Sequence, residues 1–150
     1  MAKPQEHTSP DKLSIIVFSG DFDKVHYALV MASAAAAVSK PVTLFFTMDA
    51  ARAVMKADGD GGPSWRSLPT SSTFETGGDM DDTFRATGTA TFEELLSACV
   101  ELGVTFMVCE MGLKAFGIKH EDLRDDIPFS LGGVVTFLND ASDRGATYFV

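Results

Sequence analysis

Three short stretches limit the architecture more than anything else in this chain: "KLSIIVFSGD", "PVTLFFT" and "VTFMVC" are apolar almost without interruption. A strand that is wet on one face alternates polar and apolar residues, whereas a continuous apolar run of strand length is covered on both faces. Pro41 opens the second run, at a strand's first position, where a missing N–H is tolerated. Helix-forming sequence follows each run. From Phe22 to about Ser39, "FDKVHYALVMASAAAAVS" has Asp21 as a candidate N-cap, and its second half is apolar nearly all round, so it needs cover on several sides. "MDAARAVMKA" reads as a short helix with Asp49 as its candidate cap. "TATFEELLSACVELG" carries the T-x-x-E spacing of a capping box at Thr91 and Glu94, with Gly103 at its close.

Beyond the third strand, "EMGLKAFGI" and "KHEDLRDDI" give one or two short helical turns. "PFSLGGVVTFLNDASDRG" gives a last helix after a strand, and "ATYFV" a closing strand. Apolar strands alternating with helices predict an α/β fold: a single three-layer α/β/α domain with a mainly parallel sheet of about five strands. The pattern breaks between Asp58 and Ala90, where Gly, Ser, Thr and Asp dominate and Trp65, Leu68 and Phe74 stand as isolated anchors. That stretch reads as a long loop, the "DGDGG" at its start as a turn. Residues 1–12 read as a flexible leader, and 13–150 as the domain.

A length of 150 residues suits one core. The formal charge of −9 and the lack of a Lys/Arg stripe interleaved with aromatics argue against nucleic acid and anionic membrane surfaces. No apolar run approaches the ~20 residues of a membrane span, and no secretory h-region follows the N-terminus, so a cytoplasmic protein is expected. P-loop, dinucleotide-binding and G-x-S-x-G motifs are missing, and the three histidines with two cysteines do not form a zinc pattern. No metal and no cofactor is expected. "DGDGG" lacks the glutamate that a calcium loop carries at its twelfth position, where Pro69 stands.

In an open parallel sheet, ligands and reactive groups collect beyond the carboxyl ends of the strands. Cys109 falls at such an end, and a helix starting at Glu110 would favour its thiolate, while Glu110 and the negative net charge oppose it. Lys114 and Lys119 supply nearby compensating charge. The other reading makes Cys109 a small apolar residue that fills the top of the core. Cys99 shares a helical face with Leu95, Leu96 and Leu102 and reads as core. The two thiols should not pair, because helix and strand spacing sets them more than ~10 Å apart, beyond the ~7 Å limit. Gly20 and Asp21 close the first strand, where Asp21 or Asp23 either faces the site or caps the helix. His26 is a candidate proton partner for the thiol, or else a satisfied structural histidine, as is His120.

In these segments the chain resembles the DsrE/DsrF/TusD-like sulfur-relay family of small α/β proteins. The resemblance rests on "SGDFDKVHYALVMASAAAAVSKPVTLFFT", on "FEELLSACVELGVTFMVCEMGLKAFGIKHEDL" and on "GGVVTFLNDASDRGATYFV", in that order and spacing. It implies that Cys109 is the family's sulfur-bearing nucleophile; Gly20, Asp21, Met111 and Gly112, which flank these strand ends, are candidate binding residues around it. It also implies sulfur-donor and sulfur-acceptor proteins or small thiols as partners, and a homo-oligomer built on a trimeric or dimeric core, with Ala34 to Ala37 suited to packing. The expected function is a persulfide carrier or sulfurtransferase-like protein. Its alternative is a non-catalytic oligomeric module that holds a small ligand or partner; a third reading is a flavodoxin-like cofactor binder.

Overall fold

The computed structural model describes residues 8–57 and 62–150. The expected turn in "DGDGG" from Asp58 to Gly61, and the first seven residues of the expected leader, lie outside the described residues. Residues 9–12 are tied to the body: Lys40 donates to Ser9, Asp11 receives the hydroxyl of Ser142, and Lys12 bonds to Asp140.

Five strands, β1 (Leu13–Val17), β2 (Val42–Phe46), β3 (Thr105–Cys109), β4 (Phe129–Gly132) and β5 (Ala146–Phe149), form one sheet in the order β4-β3-β2-β1-β5. Every pairing is parallel, as the unbroken apolar runs predict. The helices are α1 (Phe22–Ala37), α2 (Gly77–Thr87), α3 (Phe92–Glu101), α4 (Glu110–Ala115) and α5 (Val134–Asp140).

This order decides which face each helix covers. The chain steps outward from β1 to β2, β3 and β4 in one direction, then crosses back to place β5 on the other side of β1. Parallel crossovers are right-handed, so the first three connections lie on one face and the last, through α5, on the opposite face. Packing agrees. On the first face Ile15, Val17, Leu44, Phe46, Phe106 and Val108 join Val25 and Leu29 of α1 and Leu96 and Cys99 of α3 in the main core. On the second face lies a small cluster of Phe45, Met107, Cys109 and Phe137, with Ile16 against it. Among the described residues, the one helix over that face is the seven-residue α5. Phe18 and Phe149 pair there at 5.2 Å, with Phe149 still 67% exposed.

Two sequence expectations need correction. The stretch from Asp58 to Ala90 holds α2 and a 3-10 turn at Ser64–Ser67 rather than continuous loop. Thr76 caps α2 by accepting from the Asp79 N–H at 3.2 Å, Gly88 ends it at φ +72°, and Met80 and Phe84 pack on the main core, which outweighs the helix's polar composition. The helix at Met48–Val54 is of the 3-10 type, and its N-cap is Thr47; Asp49 pairs instead with Arg52 at 2.9 Å. The capping box of Thr91 and Glu94 forms as its spacing predicts. None of the described helices is long and apolar enough to cross a membrane.

Candidate functional site at the carboxyl end of the sheet

The carboxyl ends of β1, β2 and β3 meet at a tight junction, and two glycines set its spacing. A Cβ at Gly20 would stand 2.2 Å from Asp49 Oδ2, and one at Gly112 would stand 2.5 Å from the Met48 backbone nitrogen. Met48 itself adopts φ +51°, an uncommon value for a side-chain-bearing residue. The first turn of α4 is therefore pressed against the end of β2, and Cys109 is the residue that turns β3 into α4, at its N-cap position.

Cys109 points to the second face. It pairs in register with Gly132 of β4, is 1% exposed, and sits in the cluster with Phe45, Met107 and Phe137. The Phe45 and Phe137 rings stack at 5.0 Å. Both cysteines are free thiols. Cys99 lies in the main core with its sulfur 3.7 Å from the Leu29 carbonyl, and burial pushes its thiol up to about 12. Cys99 is thus a packing residue, whereas Cys109 lies beneath one short helix at the rim of the sheet.

The remaining sequence candidates divide. Gly20 and Gly112 are buried and shape the junction; Met111 is exposed one residue before Gly112. Asp21 occupies the N-cap position of α1 without a side-chain cap bond and lies 3.5 Å from Lys24. Asp23 accepts from the backbone and hydroxyl of Ser71, tying α1 to the stretch that precedes α2. His26 is not brought to Cys109. Its Nε2 is 2.9 Å from the Ala90 carbonyl oxygen and its ring lies 4.6 Å from that of Phe84, on the first face, with the sheet between it and the thiol. His120 stands exposed in a 3-10 turn at His120–Asp122. Two clefts of about 370 and 560 Å3 open beside Met55 and Lys56, and neither is lined by Cys109.

Three polar groupings have no signal in the sequence, because their members are far apart in it. Lys12 and Thr43 both donate to Asp140 Oδ2, at 2.8 and 2.5 Å, which ties the end of α5 to β2 and to the residue before β1. Burial pushes the Asp140 carboxyl up, but the bonds from Lys12 and Thr43 and the Lys12 charge outweigh it and hold the group below its ordinary range. Arg124 forks onto Glu93 at 2.6 and 3.0 Å, while Trp65 Nε1 donates to the same carboxylate at 2.8 Å. Asp81 is fully buried: Oδ1 accepts from the Phe92 N–H at 2.7 Å and Oδ2 has no protein partner among the described residues.

Comparison with known proteins places this geometry among relatives. The model of the DsrE/DsrF/DrsH-like family matches residues 67–149, which include α2 through β5 and Cys109. The chain is 26% identical over 156 residues to the uncharacterized protein YrkE of Bacillus subtilis strain 168, covering 93% of this chain and 96% of that one. Among solved structures it is similar to MTH1491, a protein of unknown function from Methanobacterium thermoautotrophicum. There the TM-score is 0.59 and the identity 13%, with 93% of this chain and 98% of that one covered. It is also similar to the ychN protein of E. coli, with TM-score 0.53, identity 14%, and coverage of 91% and 98%. These structural likenesses bear on the fold, an α/β domain with a parallel sheet, and match the architecture expected from the strand runs.

Proposed function

This chain belongs to the DsrE/DsrF/DrsH-like family, and from that premise we propose that it is a sulfur-relay protein, a persulfide carrier or sulfurtransferase-like protein that acts through Cys109. The observation that carries the reading is a free cysteine closing a strand near the middle of a parallel sheet, at the end where such sheets collect ligands, inside the matched segment.

The chemistry is thiolate exchange. The Cys109 thiolate attacks the outer sulfur of a donor persulfide R–S–SH. A bond forms between Cys109 Sγ and that sulfur, the donor S–S bond breaks, and R–S⁻ leaves, so that Cys109–S–SH results with no net oxidation. An acceptor thiolate then attacks the outer sulfur, the Cys109 S–S bond breaks, and the Cys109 thiolate is returned. The step needs one nucleophile and no resident metal or cofactor. Donor and acceptor are proteins or small thiols, in the cytoplasm. His26, across the sheet, takes no part in it.

A homo-oligomer, trimeric or dimer-based, goes with this reading. Phe149 on the edge strand β5 is 67% exposed and Phe18 beside it 45% exposed, and a second copy would cover this edge. Light scattering on the purified chain tests that part.

Intact mass after incubation with polysulfide tests the chemistry. A gain of ~32 Da, one sulfur atom, is expected on the parent and not on Cys109→Ser. No cysteine-dependent gain refutes the reading. The near-complete burial of Cys109 favours one alternative, the non-catalytic oligomeric binding module, under which Cys109→Ser leaves assembly and ligand binding intact.

A further inference from the structure

Cys109 is covered in a way that differs from ordinary core burial. The helix over its face, α5, contributes a single buried side chain, Phe137, while Val134, Val135 and Leu138 face solvent. The helix begins after Gly132 and Gly133. Gly132 is the register partner of Cys109, and a Cβ there would meet Thr136 of α5 at 3.0 Å and Met107 Sδ at 3.3 Å, so the first turn of α5 lies over the end of β3 and β4. Gly133 has nothing within 4 Å of its Cβ position. At the other end, Asp140 is held by Lys12, which also donates to the Asp140 backbone oxygen at 2.7 Å, and by the fully buried Thr43. A short helix with one apolar plug, an unencumbered glycine at one end and one ionic clasp at the other has few contacts to lose when it lifts.

We propose that α5 is a gate over the Cys109 thiol, with Phe137 as its plug and Lys12, Thr43 and Asp140 as positioning residues that latch it shut. The gate deepens the sulfur-relay reading and rests on it for its purpose. An incoming donor reaches the thiol while α5 is lifted, and once α5 closes, the loaded sulfur is shielded from bulk thiols that would strip it. The latch residues touch neither donor nor acceptor and act only through the position of α5.

The two free cysteines supply the measurement and its internal control. Alkylation by iodoacetamide is followed on each thiol separately by peptide mapping. Cys109 then reports the lifting of α5, and Cys99, under α1 and α3, reports opening of the main core. In the parent, Cys109 is expected to react at least about tenfold more slowly than in the urea-unfolded chain, a factor set by the ordinary worth of one charge-assisted hydrogen bond. Lys12→Met and Asp140→Asn are each expected to raise the Cys109 rate about tenfold while the Cys99 rate stays unchanged. Lys12→Met also removes the bond to the Asp140 backbone oxygen, so it should act at least as strongly as Asp140→Asn, and the effect of the double variant should fall short of the product of the two, since they share the ion pair. Phe137→Ala should open the site further; if it does not fold, the Lys12 and Asp140 variants still decide the matter.

Free-chain reactivity of Cys109 in the parent, unchanged rates in the latch variants, or a parallel rise at Cys99 would each overturn the gate. A polysulfide arm separates the two ideas. If alkylation follows the expected pattern but no variant gains sulfur at Cys109, the gate stands and the sulfur-relay reading fails. If parent and latch variants gain sulfur equally fast, the reading stands and the gate falls.

Discussion

Replacing Gly112 with alanine pits two familiar effects against each other. Gly112 lies inside α4, and a helical glycine is ordinarily ~0.5–1 kcal/mol worse than alanine, so the substitution should stabilise if the site were open. The site is closed. The new Cβ would stand 2.5 Å from the Met48 nitrogen, 3.3 Å from its Cα and 3.4 Å from the Thr47 carbonyl carbon, where ordinary contact begins near 3.4 Å. The first of these neighbours is backbone, fixed by the end of β2, so α4 and that turn must part by almost an ångström. Overpacking of this kind costs ~1–3 kcal/mol, and it exceeds the propensity gain in a helix of six residues. The expected net loss is ~1–2 kcal/mol, seen as a lower urea midpoint at unchanged slope and a Tm lower by roughly 3–6 °C. Gly20→Ala is the matched comparison: its new Cβ meets the far end of the Asp49 side chain, which swings away at the expense of an exposed pair with Arg52. A Gly112→Ala protein that melts at or above the parent would refute the claim that α4 is pressed onto β2, and with it the account of how Cys109 is placed.

Two further outcomes follow from the buried polar groups. Asp81→Ala should cost ~1–3 kcal/mol in urea unfolding by leaving the buried Phe92 N–H without an acceptor, whereas Asp81→Asn, which keeps one, should cost distinctly less. Burial pushes the Glu93 carboxyl up, but the bonds from Arg124 and Trp65 and the Arg124 charge outweigh it and lower it from 4.5. Its contribution to stability is therefore present above pH 4.5 and lost as pH falls through the lowered value. The gap in urea midpoint between the parent and Glu93→Gln should accordingly be larger at pH 7 than at pH 3, and a gap independent of pH would contradict the ion pair's role.

The strands were readable because burial on both faces leaves an unbroken apolar run, and "VTFMVC" ends at the residue where β3 ends. The Thr91–Glu94 capping box and the core position of Cys99 were equally local patterns, and both formed. α2 was hidden by its composition, although Thr76 three residues before Asp79, Met80 and Phe84 one turn apart, and Gly88 at the close are a helix signature in miniature. The surroundings of Cys109 were legible only in part. Its strand end was visible, but not the face it occupies, because that depends on β5 returning to the far side of β1 and drawing α5 across the opposite surface. The partnership of Lys12 with Asp140 joins positions 128 apart, and no local pattern announces it. His26 looked available because its helix is mostly apolar; the Ala90 carbonyl that engages it comes from beyond α2.

The pairing of β1 with β5 joins Leu13 to Ala146 and Ile16 to Phe149, the largest sequence separation of any strand pair in the sheet. Closing so long a loop is slow, and the neighbouring pairs β1–β2 and β2–β3 do not wait for it. The stretch from α5 to β5 is therefore expected to dock last, which pulsed amide exchange during refolding would read as protection of β5 gained after that of the three central strands. The thiol at the end of β3 lies beneath the helix of that late-docking stretch, so it would be among the last groups on the molecule to be covered as the chain folds.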